Sequence, residues 1–304
     1  MELAMIVFRQ TLVMFLFMLA GFALFKGKKI TVQGSRDMAA LLLWLVVPTV
    51  LLNSFCVEFS VEKLRLFALS SLLGALALLL AMAAARLLYR DRPIDDLAAA
   101  FSNCGFMGIP LVQAAVGQEA VFFLVGIIAI MNVLQWTYGV RVLTGKKGPV
   151  SLKFILCNPI LAGTLIGLVL FVTGLGARLP SVVSSTLSGI AAMNAPLGML
   201  ILGCYLAQTR LGDIFTTPRL YWLSAARLIL IPLITLLVFW PLPVEREIKL
   251  AVFLSASAPV GVNVAVYAQL HGLDYPYACQ TISLSTLLST VTLPLMLLAA
   301  NLVL

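Results

Sequence analysis

Apolar stretches too long for the elements of a soluble core alternate along this chain with short polar joints. Charge-free runs cover Met38–Val57, Leu66–Ala85, Leu97–Gln118, Ala120–Val140, Phe154–Ala177, Leu179–Thr209, Leu250–Leu270 and Tyr275–Leu304. Two more segments complete the set: 4–25, interrupted by Arg9, and 218–240, interrupted by Arg227. A run of about 20 apolar residues spans the hydrocarbon core of a bilayer as a helix. The pattern predicts an all-α membrane protein of about ten transmembrane helices with no soluble domain between them. Leu179–Thr209 is longer than one crossing needs.

Two of these spans carry residues that membrane helices usually avoid. The fourth reads "FSNCGFMGIPL" over Phe101–Leu111, and the ninth reads "SASAPVGVNVAVY" over Ser255–Tyr267. Proline removes a backbone N–H and clashes with the preceding turn. Glycine loosens the same stretch. Freed backbone groups are tolerated in a membrane only against protein or a watery cavity. The expectation is a helix break at Pro110 and another at Pro259, each proline beginning an outgoing half-helix. The new N-termini would offer partial positive charge and N–H groups to an anion. Ser102, Asn103, Gly105 and Gly108 on one side, and Ser257, Gly261 and Asn263 on the other, are the candidate binding residues. The competing reading is simpler: prolines that only kink, and small residues that only pack helices together.

The prolines also suggest a repeat. Pro196 follows Pro48 by 148 positions, and Pro259 follows Pro110 by 149. This predicts two halves of five helices, 1–145 and 152–304, with broken helices 4 and 9. Five is odd, so the second half is expected upside down relative to the first, an inverted repeat that crosses the two breaks near the midplane.

Composition fits the membrane reading. Hydrophobic residues make up 62% of the 304 positions and charged ones 11%, against about 25% in soluble domains. The net charge of +8 raises the possibility of a nucleic-acid partner, but its distribution argues for topology instead. Lys and Arg gather in alternate loops: Lys26, Lys28, Lys29 and Arg36, then Arg86, Arg90 and Arg92, then Arg141, Lys146, Lys147 and Lys153, then Arg210 and Arg219. The loops between them hold fewer. The positive-inside rule puts the basic loops in the cytoplasm, in an inner or plasma membrane with both termini outside. The first helix is expected to be retained, because its basic cluster follows the apolar run instead of preceding it.

Other residues limit the chemistry. No Asp or Glu lies deep in a span, and the single histidine, His271, is expected in a loop. Five cysteines, at 56, 104, 157, 204 and 279, form no CxxC pair and read as packing residues. No metal, cofactor or catalytic cluster is expected, which disfavours a membrane enzyme. A sensor is disfavoured by the lack of an output domain. Arg227 is the one deep charge: it either snorkels to the membrane surface or balances an organic anion. Asn132 and Gln135, in "MNVLQWTYGV", either line the same cavity or bond a neighbouring helix.

The chain resembles the auxin efflux carrier family. "SNCGFMGIPL" is similar to that family's fourth-helix crossover, and the likeness continues in "NVLQWTYGV", "NPILAGTLIGL", "ARLILIP" and "APVGVNVAVYAQLHGLD". The resemblance implies ten helices in a five-plus-five inverted repeat. It implies a scaffold of helices 1, 2, 6 and 7, a transport domain of helices 3–5 and 8–10, homodimers and elevator-type movement. It implies organic-anion substrates: auxin in plants, malonate or other carboxylates in bacterial relatives. The short linker "VLTGKKGPVSLK" resembles the bacterial members, and Val260 stands where plant carriers place Gln. A small carboxylate is therefore the expected substrate. The alternative within transport is a sodium-coupled symporter similar to the bile-acid carriers.

The charge pattern generates a direct test. A periplasmic-active reporter fused after Leu304 should be active, and a cytoplasm-only reporter silent. The reverse pair would invert the orientation.

Overall fold

The computed structural model describes residues 2–145 and 158–304. The basic residues Lys146, Lys147 and Lys153, and Cys157, lie outside the described residues. Among the described residues, seven helices are long and apolar enough to cross a membrane, and shorter helices complete a set of ten segments. They are α1 (Glu2–Lys26), α2 (Val32–Ser54), α3 (Val61–Tyr89), α4a (Pro93–Ala100) with α4b (Cys104–Ala115), and α5 (Gln118–Thr144). The second half has α6 (Pro159–Val172), α7 (Ser181–Ala207), α8 (Pro218–Phe239), α9a (Arg246–Ala256) with α9b (Asn263–Leu270), and α10 (Tyr275–Val303). The long run Leu179–Thr209 is one span, bent at Met193. Both halves show the same order: three continuous spans, one broken, one continuous.

The prolines do not act as expected. The fourth span opens at Phe101–Asn103, seven residues before Pro110, which lies in the intact helix α4b. A wide π-turn over Cys104–Gly108 precedes it. The same device recurs. A π-turn at Leu42–Val46 ends two residues before Pro48, and one at Ala226–Leu230 ends two residues before Pro232. Widening the turn moves the upstream carbonyls away from the proline ring, so the helix continues where a regular turn would clash. Of the two crossover prolines, Pro259 alone lies in a gap. The proline spacing therefore does not mark equivalent positions at the crossing.

Close backbone approach decides which helices pair. Gly21 of α1 rests on the Leu200 backbone of α7, and Gly203 of α7 rests on Met18 of α1. On α6, a Cβ at Gly163 would lie 2.7 Å from the Pro48 carbonyl oxygen, and one at Gly167 2.6 Å from the Phe55 ring. Such small-residue contacts replace the hydrophobic drive that lipid removes. They join α1 with α7 and α2 with α6. Gly74 of α3 against Ile127, and Gly126 of α5 against Ser71, join α3 with α5 in the same way. Leu72, Leu87, Trp222 and Leu302 are among the large apolar side chains left exposed, as lipid-facing residues would be.

Two carboxylates tie the broken fourth span to its neighbours. Asp95 and Asp96 open α4a and are both fully buried. Asp95 accepts from Arg219 Nε of α8 at 2.6 Å and from the Tyr277 hydroxyl of α10 at 2.8 Å. Asp96 accepts from Arg86 Nη1 of α3 at 3.0 Å and lies 3.4 Å from the Tyr138 hydroxyl of α5. One helix start thus gathers α3, α5, α8 and α10.

Removing one partner of a buried ion pair costs about 3–5 kcal/mol. The Arg219 side chain is 41% exposed, so Arg219→Ala should cost less, about 2 kcal/mol. The double change Asp95→Asn with Arg219→Ala should recover part of that loss. Thermal unfolding of the purified protein in detergent measures both.

Candidate functional site

The two breaks cross at one point. After α4a the chain turns extended at Phe101, with φ −110° and ψ 114°. After α9a it runs through Ser257–Val262 before α9b begins at Asn263. The two stretches pair antiparallel at Ser102 and Val260. Asn103 N donates to the Pro259 carbonyl at 2.7 Å, and Gly261 N donates to the Phe101 carbonyl at 3.0 Å. Val260 N donates to Ser285 Oγ of α10 at 3.2 Å. Pro259 has no N–H to place, so it suits a stretch with no helical acceptor.

The carbonyls that the half-helices release are met by one side chain. Arg227 is 1% exposed. Its Nη1 donates to Ala99 O at 3.0 Å, its Nε to Ala258 O at 3.1 Å, and its Nη2 to Ala256 O. The guanidinium neither snorkels to the surface nor points into a cavity; it joins α8 to the C-terminal ends of α4a and α9a. The π-turn at Ala226–Leu230 carries this side chain.

Around the crossing, Ser102, Asn103, Gly105, Asn132, Gly261 and Asn263 line a cavity of 20 Å³. That is room for about one water. Asn103 is 2% exposed and its Nδ2 has no partner. Asn263 Nδ2 donates to Gln135 Oε1 at 2.9 Å, which draws Gln135 into the set. Asn132 Nδ2 turns back to the Ile128 carbonyl at 2.8 Å. Gly108 packs beside Ser255 of α9a. Ser257 lies in the ninth-span break, buried, with its Oγ unpartnered. Pro110 faces a different space.

That space is a cavity of 620 Å³ between α2, α3, α4b, α5 and α7. Asn53, Lys63, Gln113, Gln118, Glu119 and Asn194 supply its polar groups. It lies toward the joints that follow α2 and α4. Toward the opposite ends of α2 and α7, polar and aromatic side chains meet. There Tyr275 OH lies 3.4 Å from Gln208 Oε1, Gln208 Nε2 lies 3.5 Å from Ser35 Oγ, and the Tyr205 and Tyr275 rings meet edge-on at 6.0 Å.

Asn194 escaped the sequence reading although it stands two residues from Pro196. Its Nδ2 donates to Gly105 O at 2.8 Å, a carbonyl that the π-turn of α4b leaves open, and its Oδ1 is buried without a partner. Ser285 was equally hidden, one hydroxyl among many in "SLSTLLST".

The crossing depends on one absent side chain. A Cβ at Gly261 would lie 3.0 Å from Ser102 O and 3.3 Å from Phe101 O, whereas one at Gly105 would meet nothing within 4 Å. Gly261→Ala should therefore cost about 1–3 kcal/mol by overpacking, and Gly105→Ala should be tolerated. Comparing the two unfolding midpoints checks this; equal effects would contradict the crossing geometry.

Known proteins agree with a transport architecture. Across 203 residues the chain is 29% identical to an "Uncharacterized transporter" of Methanothermobacter thermautotrophicus (strain Delta H), covering 66% of this chain and 65% of that protein. The family model described as "Membrane transport protein" matches residues 6–297. Apolar helices along the described chain, two of the segments broken and crossed, and a match from the first helix to the last lead to one assignment: the chain belongs to the membrane transport protein family.

Proposed function

We propose that the protein is a secondary transporter of small organic anions, carboxylates such as malonate or auxin-like acids, working by elevator-type alternating access. The observation that carries this reading is the unpartnered Asn103 Nδ2 at the crossing. A buried amide donor without an acceptor costs about 1–3 kcal/mol. A carboxylate oxygen bound beside it would remove that cost. The N–H groups that begin α4b and α9b lie at the same place, and helix N-termini favour anions.

Two features support alternating access. One face holds the 620 Å³ cavity, whose wall includes Ile109, Pro110 and Asn194 next to the crossing. In this reading the other is closed by the contacts among Tyr275, Gln208, Tyr205 and Ser35. By the charge orientation, the open face is the external one. The pairing of α1 with α7 and α2 with α6, set against the ion-paired group around α4a, supports a scaffold and a moving domain. In this reading the 20 Å³ space is the collapsed, substrate-free form of the site.

Uptake of labelled malonate into proteoliposomes tests the reading. Asn103→Ala should weaken substrate binding by about 1–3 kcal/mol, roughly 5- to 150-fold. It should leave the unfolding midpoint unchanged or slightly raised, because the lost amide had an unmet donor. Unchanged affinity in a folded variant would remove Asn103 from the site, and absence of carboxylate uptake by the parent would remove the substrate class.

A further inference from the structure

Arg227 is a fully buried cation without a carboxylate. The ion pairs among the described residues are Arg65–Glu62, Arg86–Asp96 and Arg219–Asp95. What surrounds the guanidinium is oxygen of another kind: the carbonyls of Ala99, Ala256 and Ala258, from the ends of two half-helices. A helix C-terminus carries about −0.5 of an elementary charge. Two such ends meeting in one place call for about one positive charge. Unwound carbonyls and half-helix C-termini are also the ligands that hold Na⁺ inside membranes.

We propose that Arg227 is a resident cation of the crossing, holding the oxygen cage that an exchangeable monovalent cation would otherwise occupy, so that transport proceeds without one. The fit is specific to a guanidinium. Three different nitrogens each serve one carbonyl, and a planar fork holds them at fixed angles, which a lysine ammonium cannot do. Two unpartnered hydroxyls flank these carbonyls in sequence. Ser255 and Ser257 are buried, and neither Oγ has a partner. Ser257 lies between the two α9a-side carbonyls that Arg227 binds. With the side chain cut back, the three carbonyls would present an all-oxygen site of the kind hard cations take.

The arrangement also sorts charge by position. Arg227 neutralises the C-terminal ends of α4a and α9a, and leaves the N-terminal ends of α4b and α9b uncancelled. Its role is therefore to position the crossing and not to touch the anion. The flux arm of the test rests on the anion-transport reading; the stability arm does not.

The experiment compares the parent, Arg227→Ala and Arg227→Lys in Na⁺, K⁺, guanidinium and choline at equal ionic strength. Unfolding midpoints are measured in detergent and malonate flux in proteoliposomes. The parent should give the same midpoint and flux in Na⁺ and choline. Arg227→Ala should lose flux about tenfold or more, the equivalent of one lost strong contact. Millimolar guanidinium or Na⁺, but not choline, should restore part of the flux and raise its midpoint. Arg227→Lys should fall between parent and Arg227→Ala in both readouts. A parent that requires Na⁺ overturns the proposal, and this arm decides even if Arg227→Ala does not fold. A folded Arg227→Ala whose midpoint ignores every cation also overturns it. A parent without malonate flux but with the expected midpoint pattern keeps Arg227 as the resident cation and removes the substrate reading alone.

Discussion

Backbone hydrogen bonding in the absence of water is the constraint on which this structure depends. Each peptide group set free inside a bilayer must find a partner within the protein. At the crossing the groups are met one by one. Phe101 O and Pro259 O accept from Gly261 N and Asn103 N; Val260 N finds Ser285; Ala99 O, Ala256 O and Ala258 O take the three arms of Arg227. Two broken helices are thus stable only as a pair, because each supplies what the other lacks. Four of these eight groups pair break to break, so a single break would leave two of them without a partner.

The same constraint separates two uses of proline. At Pro48, Pro110 and Pro232 a preceding π-turn absorbs the ring and the helix continues. The local cost is an open carbonyl, and at Gly105 an asparagine from α7 takes it. At Pro259 the chain has already left the helix, and the missing N–H is an advantage. Whether a membrane proline bends, widens or ends a helix is decided by which neighbours can accept or donate nearby, and these come from distant parts of the chain.

This explains what could be read in the sequence. The spans were legible because hydropathy is a property of each segment alone. Asn103, Asn263 and Arg227 stood out because a polar or charged group within an apolar run has few innocent explanations. The position of the first break was not legible. Phe101–Asn103 holds no proline or glycine, and it opens because the antiparallel partner at Val260 offers hydrogen bonds that a continued helix would forgo. Asp95 and Asp96 looked like loop-edge charges, since their partners Arg219, Tyr277, Arg86 and Tyr138 are up to 182 positions away. Asn194 and Ser285 were ordinary polar residues until the fold gave them carbonyl and amide partners.

The hydrogen bond from Asn194 to Gly105 joins α7 to α4b, and the Tyr275–Gln208 contact joins α10 to the end of α7. Each is worth about 1 kcal/mol net. Charged anchors such as Asp95–Arg219 and Asp96–Arg86 lie instead within one group. The charges thus hold helices to α4a, while the two contacts that reach α7 are hydrogen bonds between neutral groups. In the proposed elevator reading, a displacement of the α4a group past α7 would leave the Asp95–Arg219 and Asp96–Arg86 pairs intact, so friction would be set by side-chain shape and not by electrostatics.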